Sequence, residues 1–216
     1  MRTLAPDFVA YTWATPTDEV AALAGIDVSQ VIRFDQNTSP MPLSSSRPGT
    51  IARALAEINS YPPGGYKELR RAIAGYNGVD PENIVLGLGA DDLIGLCARS
   101  FAGPGDVIAI VPGRSYPVYR IAAQLAGATV GDDAPVLTFT CRPNSPLGEL
   151  PELPEARPLV IDEAYYEYCG ETSAPLIEQG NVIVLRTFSK AFALAGARVG
   201  YAIAPREMAA ELNDRQ

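Results

Sequence analysis

The feature that most constrains the fold of this chain is a series of short apolar segments that alternates with helical segments from residue 83 onward. These segments are apolar on both faces, which is typical of strands in a parallel sheet covered by helices on either side. Strands are predicted at 84–88, 107–111, 128–130, 136–140, 159–161, 182–186 and 199–204, and helices at 91–101, 116–126 and 205–212. The sequence therefore predicts an α/β fold, a three-layer sandwich with a mostly parallel central sheet.

The first 48 residues differ from the rest because they are rich in Pro, Ser and Thr and have little hydrophobic periodicity. The helices predicted before residue 83 lie at 18–24, 49–58 and 66–76. Thr17 is the candidate cap of the first of these helices. We expect an N-terminal arm over residues 1–36 and one large domain over residues 37–216.

The charge of the chain bears on its partners. A net charge of -8 and the lack of any Lys/Arg-rich run argue against binding to nucleic acid or to an anionic membrane, because both need a basic surface. The longest apolar runs have the length of strands, and no basic region followed by an apolar run marks the N-terminus. Small molecules and further copies of the chain are the expected partners.

Histidine and cysteine usage narrows the chemistry. The chain has no histidine, which excludes Ser-His-Asp and Cys-His catalysis and the usual zinc sites. Its three cysteines lie far apart without a CxxC pair, so we expect neither a metal site nor a disulfide framework, and a reducing cytoplasm fits best. Catalysis must then use carboxylates, tyrosine, lysine, arginine or a cofactor.

Ligands of open α/β sheets bind beyond the carboxyl ends of the strands, and Lys190 follows such a strand. The lysine lies between Phe188 and Phe192. Desolvation there disfavours the ammonium form and favours a lysine that attacks an aldehyde to form a Schiff base. The alternative is a lysine whose head group stays in water.

Asp162 directly follows another apolar strand at the same predicted edge. A buried carboxylate needs a cationic partner, and the pyridinium nitrogen of a cofactor would supply one. The alternative is that Asp162 caps the following helix. Nearby, Tyr165 either donates to a phenolic oxygen of such a cofactor or simply packs.

A glycine turn, from Leu86 to Asp92, joins a strand to a helix whose amides can hold a phosphate. A tight connection is the alternative, and the spacing matches neither the dinucleotide fingerprint nor the P-loop. Arg198 can bind the same phosphate together with the hydroxyl of Thr187 or Ser189, or else form a surface ion pair. Tyr116 can lie against an aromatic ring or pack at the rim.

Taken in this order, these segments resemble the fold-type I aminotransferases that depend on pyridoxal 5'-phosphate (PLP), in particular the histidinol-phosphate aminotransferase-like group. The resemblance covers about residues 33 to 216, and its most specific part is the run from Arg186 to Tyr201. It implies the PLP-binding large domain of that fold, with a small C-terminal domain that would follow. The chain ends at Gln216, inside the helix expected to lead there, so this domain and its substrate-binding arginine are expected to be missing.

The resemblance also implies roles for individual residues. Lys190 would carry the cofactor and move the proton, Asp162 would pair with the pyridinium, and Tyr165 would donate to the phenolic oxygen. The residues implied for the cofactor phosphate are Gly89, Ala90, Asp91, Thr187, Ser189 and Arg198, with Tyr116 as the stacking residue. Tyr61 would reach the phosphate of a neighbouring subunit, which implies a homodimer with shared active sites.

The implied reaction is a ping-pong transfer from a small-molecule amino donor to a 2-oxo acid acceptor, with Asn37 and Tyr116 as substrate-binding residues. The donor would be an amino acid or an amino-alcohol phosphate. One departure concerns the cofactor: Ser145 stands where the family has an asparagine that binds the phenolic oxygen, so either Ser145 acts through water or Asn144 compensates. Alternatives are a decarboxylase of the threonine-phosphate type, a non-catalytic fragment of the PLP fold and, remotely, a nucleotide-binding α/β domain.

Overall fold

A computed structural model describes residues 4–41, 48–62 and 64–216. Its seven strands are β1 (Ile84–Gly87), β2 (Val107–Val111), β3 (Thr129–Val130), β4 (Leu137–Cys141), β5 (Leu159–Asp162), β6 (Val182–Thr187) and β7 (Gly200–Ile203). They form one sheet with the order β1-β7-β6-β5-β4-β2-β3. Each predicted strand is confirmed, with ends that differ by at most one residue.

The sheet is mostly parallel, as predicted, but β7 runs antiparallel to both of its neighbours, β1 and β6. A strand that pairs parallel to its predecessor needs a long crossover connection, usually a helix. The segment between β6 and β7 contains only the 3-10 turn Ala195–Ala197. The chain therefore reverses direction there and enters β7 as an antiparallel strand.

The helices are α1 (Thr17–Ala24), α2 (Pro48–Ala56), α3 (Lys67–Asn77), α4 (Ala90–Phe101), α5 (Val118–Ala126), α6 (Tyr166–Cys169) and α7 (Arg206–Asp214). Side chains of α4, α5 and α7 pack on one face of the sheet, in a core that includes Leu93 and Phe139. Side chains of α3 and of the 3-10 turn Ala174–Gln179 pack on the other face. These two apolar cores confirm the three-layer arrangement.

Two helix starts differ from expectation. Thr17 is the first residue of α1, Pro16 occupies the cap position, and no side chain caps the helix. The Thr17 hydroxyl instead accepts a hydrogen bond from Arg33, so the predicted cap is wrong. Helix α5 begins at Val118 rather than at Tyr116 because a proline, Pro117, disfavours helical backbone at the residue before it.

Residues 4–41 contain one helix, α1, and one 3-10 turn, Val28–Gln30. Large apolar side chains in this part are exposed, including those of Trp13 and Phe34. None of the helices within residues 4–41, 48–62 and 64–216 is long and apolar enough to cross a membrane.

Strand direction determines which segments meet. Because β2, β4, β5 and β6 are parallel neighbours, their carboxyl ends lie along one edge of the sheet. Cys141 at the end of β4 lies beside Asp162 at the end of β5. Gly87 at the end of β1 faces Gly200, which in turn faces Thr187 at the end of β6. The predicted site residues after these strands therefore share one edge.

Candidate active site

Lys190 lies in the turn that follows β6 and is half-buried. Its Nζ donates a hydrogen bond of 3.0 Å to the carbonyl oxygen of Gln36 and lies 5.5 Å from the centre of the Tyr165 ring. Burial lowers the pKa of Lys190, although the negative charges of Asp91 and Asp162 act in the opposite direction. A lower pKa leaves more of the amine uncharged, which is the form that attacks an aldehyde.

Asp162 ends β5 with a side chain that is only 3% exposed. Its Oδ2 accepts a hydrogen bond of 2.6 Å from the Tyr119 hydroxyl, and its Oδ1 accepts one of 3.0 Å from the Ala164 amide. Burial raises the pKa of Asp162 to about 6. Helix α6 begins only at Tyr166, so Asp162 is not its cap. Among the described residues, no lysine or arginine pairs with this carboxylate.

The glycine turn places the amino end of α4 beside an arginine. Helix α4 begins at Ala90, and Gly89 occupies its cap position with a φ of 91°. A Cβ atom at Gly89 would lie 2.7 Å from Nη2 of Arg198, so only glycine lets the two come this close. The same Nη2 lies 3.7 Å from Oδ2 of Asp91. Free helix amides and a guanidinium together form a setting for an anion such as phosphate.

Two hydroxyl groups lie at the carboxyl end of β6. Thr187 and Ser189 are both buried, and Thr187 Oγ1 donates a hydrogen bond of 2.9 Å to Ser189 Oγ. The Ser189 amide in turn donates to Thr187 Oγ1 over 3.1 Å. The two hydroxyls are therefore held close together, next to Lys190 in the chain.

Asn37 and Tyr165 meet although they are far apart in sequence. Nδ2 of Asn37 donates a hydrogen bond of 3.1 Å to the Tyr165 hydroxyl. Burial raises the pKa of Tyr165, and the bond from Asn37 partly offsets this effect. Both residues line a cavity of about 320 Å³, together with Pro143, Asn144, Ser145, Pro146, Gly148, Leu150, Tyr168 and Cys169.

The side chain of Asn144 binds the loop that follows β2. It is 2% exposed, and its Oδ1 accepts a hydrogen bond of 3.0 Å from the Ser115 hydroxyl. Its Nδ2 donates one of 3.2 Å to the carbonyl oxygen of Arg114. Both ends of the Asn144 amide therefore hold the loop after β2, and the suggestion that Asn144 compensates for Ser145 stays a prediction.

The two remaining predicted tyrosines have different surroundings. The Tyr116 hydroxyl donates a hydrogen bond of 3.0 Å to Asp91, and its ring meets that of Tyr119 edge-on, with 5.9 Å between ring centres. Tyr116 therefore lies next to the start of α4. Tyr61 is 99% exposed and is not brought to the other candidate residues within the part of the chain that the structure describes.

The sequence pattern does not mark two residues whose contacts help to form the site. Tyr119, which binds Asp162, looks like an ordinary core tyrosine of an amphipathic helix. The carbonyl oxygen of Gln36, which binds Lys190, belongs to the backbone, so the type of residue at this position does not reveal the contact. Both contacts depend on the way distant segments pack.

The comparisons with known proteins identify the family. The family model "Aminotransferase class I and II" matches residues 29–134 and 132–216. The chain belongs to this family. A relative named histidinol-phosphate aminotransferase 2, from Pseudomonas aeruginosa, is 33% identical in an alignment 236 positions long that covers 94% of this chain and 64% of the relative. This aminotransferase-family chain thus spans less than two thirds of that relative's length.

Solved structures agree with this assignment. The crystal structure of histidinol-phosphate aminotransferase from Sinorhizobium meliloti, in complex with pyridoxal-5'-phosphate, matches with a TM-score of 0.80 and 25% identity, over 95% of this chain and 64% of that chain. L-threonine-O-3-phosphate decarboxylase from Porphyromonas gingivalis matches with a TM-score of 0.66 and 22% identity, over 77% of this chain and 60% of that one. The first match confirms the expected fold class, while the second shows a shared fold alone.

Proposed function

We propose that this class I and II aminotransferase chain binds PLP on Lys190 and transfers amino groups from a small-molecule donor to a 2-oxo acid. The observation that carries the proposal is the arrangement along one sheet edge. It brings together a half-buried lysine with a lowered pKa, a buried carboxylate with which none of the described basic side chains pairs, and a glycine-capped helix start beside an arginine. Relatives named histidinol-phosphate aminotransferase support a donor that is an amino acid or an amino-alcohol phosphate.

The residues fit the chemical groups of PLP one by one. Asp162 would pair with the ring nitrogen, because a protonated pyridinium would supply a cationic partner for this buried carboxylate. The phosphate would be held by Gly89, Ala90 and Asp91 at the start of α4 and by the side chains of Thr187, Ser189 and Arg198. Tyr116, close to Asp91, would pack against the ring. When bound, PLP supplies an aldehyde for the amine and a ring that accepts electrons from the substrate's α-carbon.

Tyr165, whose hydroxyl is held by Asn37, is proposed to act on the phenolic oxygen of the cofactor. Because Asn37 donates to the Tyr165 oxygen, the hydroxyl proton of Tyr165 remains available for the phenolic oxygen of the cofactor. Ser145 lies in the same cavity and is proposed to assist through its shorter hydroxyl. Asn37 and Tyr116 are also proposed to bind the substrate, as the resemblance implies.

Lys190 has a second proposed task. Once its amine is released, it would take the proton from the α-carbon of the substrate and return it to the aldehyde-derived carbon of the cofactor. The lowered pKa of Lys190 suits this role, because a base works best when its pKa lies near the working pH. In the cofactor-free chain, the Gln36 carbonyl oxygen accepts a hydrogen bond from this amine.

The larger organisation is also proposed. The chain would comprise an arm over residues 1–36 and a large domain over residues 37–216, and it would act as a homodimer with shared sites in the cytoplasm. The fully exposed Tyr61 supports sharing, since it is free to reach a partner's phosphate group. The three free cysteines suit a reducing compartment. Mixing Tyr61→Phe and Lys190→Ala chains should restore activity if sites are shared, because one site of each mixed dimer is then intact.

The reaction itself is tested by supplying histidinol phosphate and 2-oxoglutarate to the PLP-loaded chain and measuring glutamate. A parallel assay supplies L-threonine O-3-phosphate and measures carbon dioxide. We expect glutamate to form, no carbon dioxide release, and neither product from Lys190→Ala. Carbon dioxide release instead would favour the decarboxylase, and PLP binding without either product would favour a non-catalytic chain.

A further inference from the structure

Tyr119 is a fully buried tyrosine on α5 that no motif of the site includes. Its ring stacks on that of Phe139, with 5.2 Å between ring centres and 13° between planes. Its surroundings belong to the apolar core on this face of the sheet. A phenylalanine would keep this packing, so the hydroxyl calls for a separate explanation. The Tyr119 hydroxyl donates a hydrogen bond of 2.6 Å to the carboxylate of Asp162.

We propose that Tyr119 is a positioning residue that keeps the Asp162 carboxylate ionised and fixed in one orientation for the ring nitrogen of the cofactor. This inference rests on the proposed function, because it assigns Asp162 to that nitrogen. It adds a residue from a different layer of the fold to the site.

The geometry supports both parts of the proposal. Each carboxylate oxygen of Asp162 accepts a hydrogen bond, one from the Tyr119 hydroxyl and one from the Ala164 amide. Two hydrogen bonds, one to each oxygen, restrict rotation of the carboxylate. Both partners are donors, and a carboxylate that accepts hydrogen bonds is favoured over its protonated form. Burial acts in the opposite direction by raising the pKa of Asp162, so the Tyr119 bond limits that rise.

Other titratable groups surround Asp162, and the test must separate them from Tyr119. These groups are Asp91 on α4, Cys141 at the end of β4, Glu163, Tyr165 and Lys190. The Cys141 thiol donates to the Pro143 carbonyl oxygen rather than to the carboxylate. Tyr119 is thus the side chain that donates to Asp162, and its removal should change the proton affinity of that residue most directly.

The first experiment is an infrared titration of the cofactor-free chain, in which the band of protonated Asp162 is assigned by its loss in Asp162→Asn. We expect Tyr119→Phe to raise the proton affinity of Asp162 by roughly tenfold, since a hydrogen bond to a charged group has about this effect. Tyr201→Phe is the matched control, because Tyr201 is equally buried, lies on the other face and bonds to Asn77. An unchanged titration in Tyr119→Phe, or an equal shift in the control, would overturn the proposal.

The second experiment compares the affinity for PLP with that for an analogue in which carbon replaces the ring nitrogen. Tyr119→Phe should weaken PLP binding by about tenfold and leave the analogue unaffected, because Tyr119 acts through the nitrogen's partner. In the double variant with Asp162→Asn, the loss of Tyr119 should have no further effect. Equal weakening of both compounds would show that Tyr119 only supports the fold. If the unaltered chain binds neither compound, the proposed function fails, while the infrared titration still decides the role of Tyr119.

Discussion

Replacing Asp162 with asparagine is expected to stabilise the cofactor-free chain while weakening PLP binding. Asparagine has no charge to bury, and its amide can still accept the Ala164 hydrogen bond while the Tyr119 hydroxyl turns to accept from Nδ2. The same change removes the carboxylate that is proposed to pair with the ring nitrogen. In Asp162→Asn, the free energy of unfolding should therefore rise while the affinity for PLP falls.

The magnitude follows from the pKa of Asp162, which burial raises from 3.8 to about 6. Because the folded-state pKa lies above the unfolded value, the protonated group contributes stability that is fully present below about pH 4 and is lost as the pH rises through about 6. A shift of about two pKa units corresponds to about 3 kcal/mol. Asp162→Asn should thus match the unaltered chain near pH 4 and be more stable by up to about 3 kcal/mol at pH 8.

Urea unfolding of the cofactor-free chain across this pH range measures the difference. The matched control is Asp133→Asn, which removes the same charge from an exposed position and should change little at any pH. A stability difference for Asp162→Asn that does not vary with pH would refute the reasoning, as would an equal effect of the control.

Two further predictions concern the phosphate region and the buried ion pair. Gly89→Ala should weaken PLP binding about tenfold or more and cost about 1–3 kcal/mol of stability, because it strains a φ of 91° and displaces Arg198. A fluorescence titration with PLP and urea unfolding measure these two effects. The control is Gly113→Ala, since a Cβ atom there meets nothing within 4 Å. Glu163→Gln should cost about 3–5 kcal/mol in urea unfolding, because it leaves Arg186 buried without the carboxylate that lies 2.8 Å away. Similar stability of Gly89→Ala and Gly113→Ala, or of Glu163→Gln and the unaltered chain, would contradict these expectations.

Local patterns were sufficient to predict the sheet and part of the site. Strands buried on both faces stand out in a sequence because each is a continuous apolar run, and residues such as Asp162 and Lys190 that follow such runs must lie near one edge. The start of α4 at Gly89 and Ala90 follows from glycine between a strand and a helix. These features depend on near neighbours in the chain.

Other features depend on contacts between distant segments and have no local pattern. Asn37 reaches Tyr165 across 128 positions of the chain, and Tyr119 reaches Asp162 only because α5 packs beneath β5 and β4. The direction of β7 depends on a connection without a crossover helix, which short apolar runs do not reveal. Proline effects, as at the start of α5, lie between these cases, since they act locally but compete with hydrophobic periodicity.

The most direct test of the central claim is to add PLP, reduce with borohydride and find the labelled lysine by peptide mass analysis. The chain suits this test because Lys67 and Lys190 are its two lysines, and the exposed Lys67 serves as an internal control. We expect a near-visible absorption band and a label on the peptide that contains Lys190, both of which disappear in Lys190→Ala and persist in Lys67→Ala. A label on Lys67 alone, or an unchanged band in Lys190→Ala, would contradict the assignment of Lys190 as the cofactor lysine.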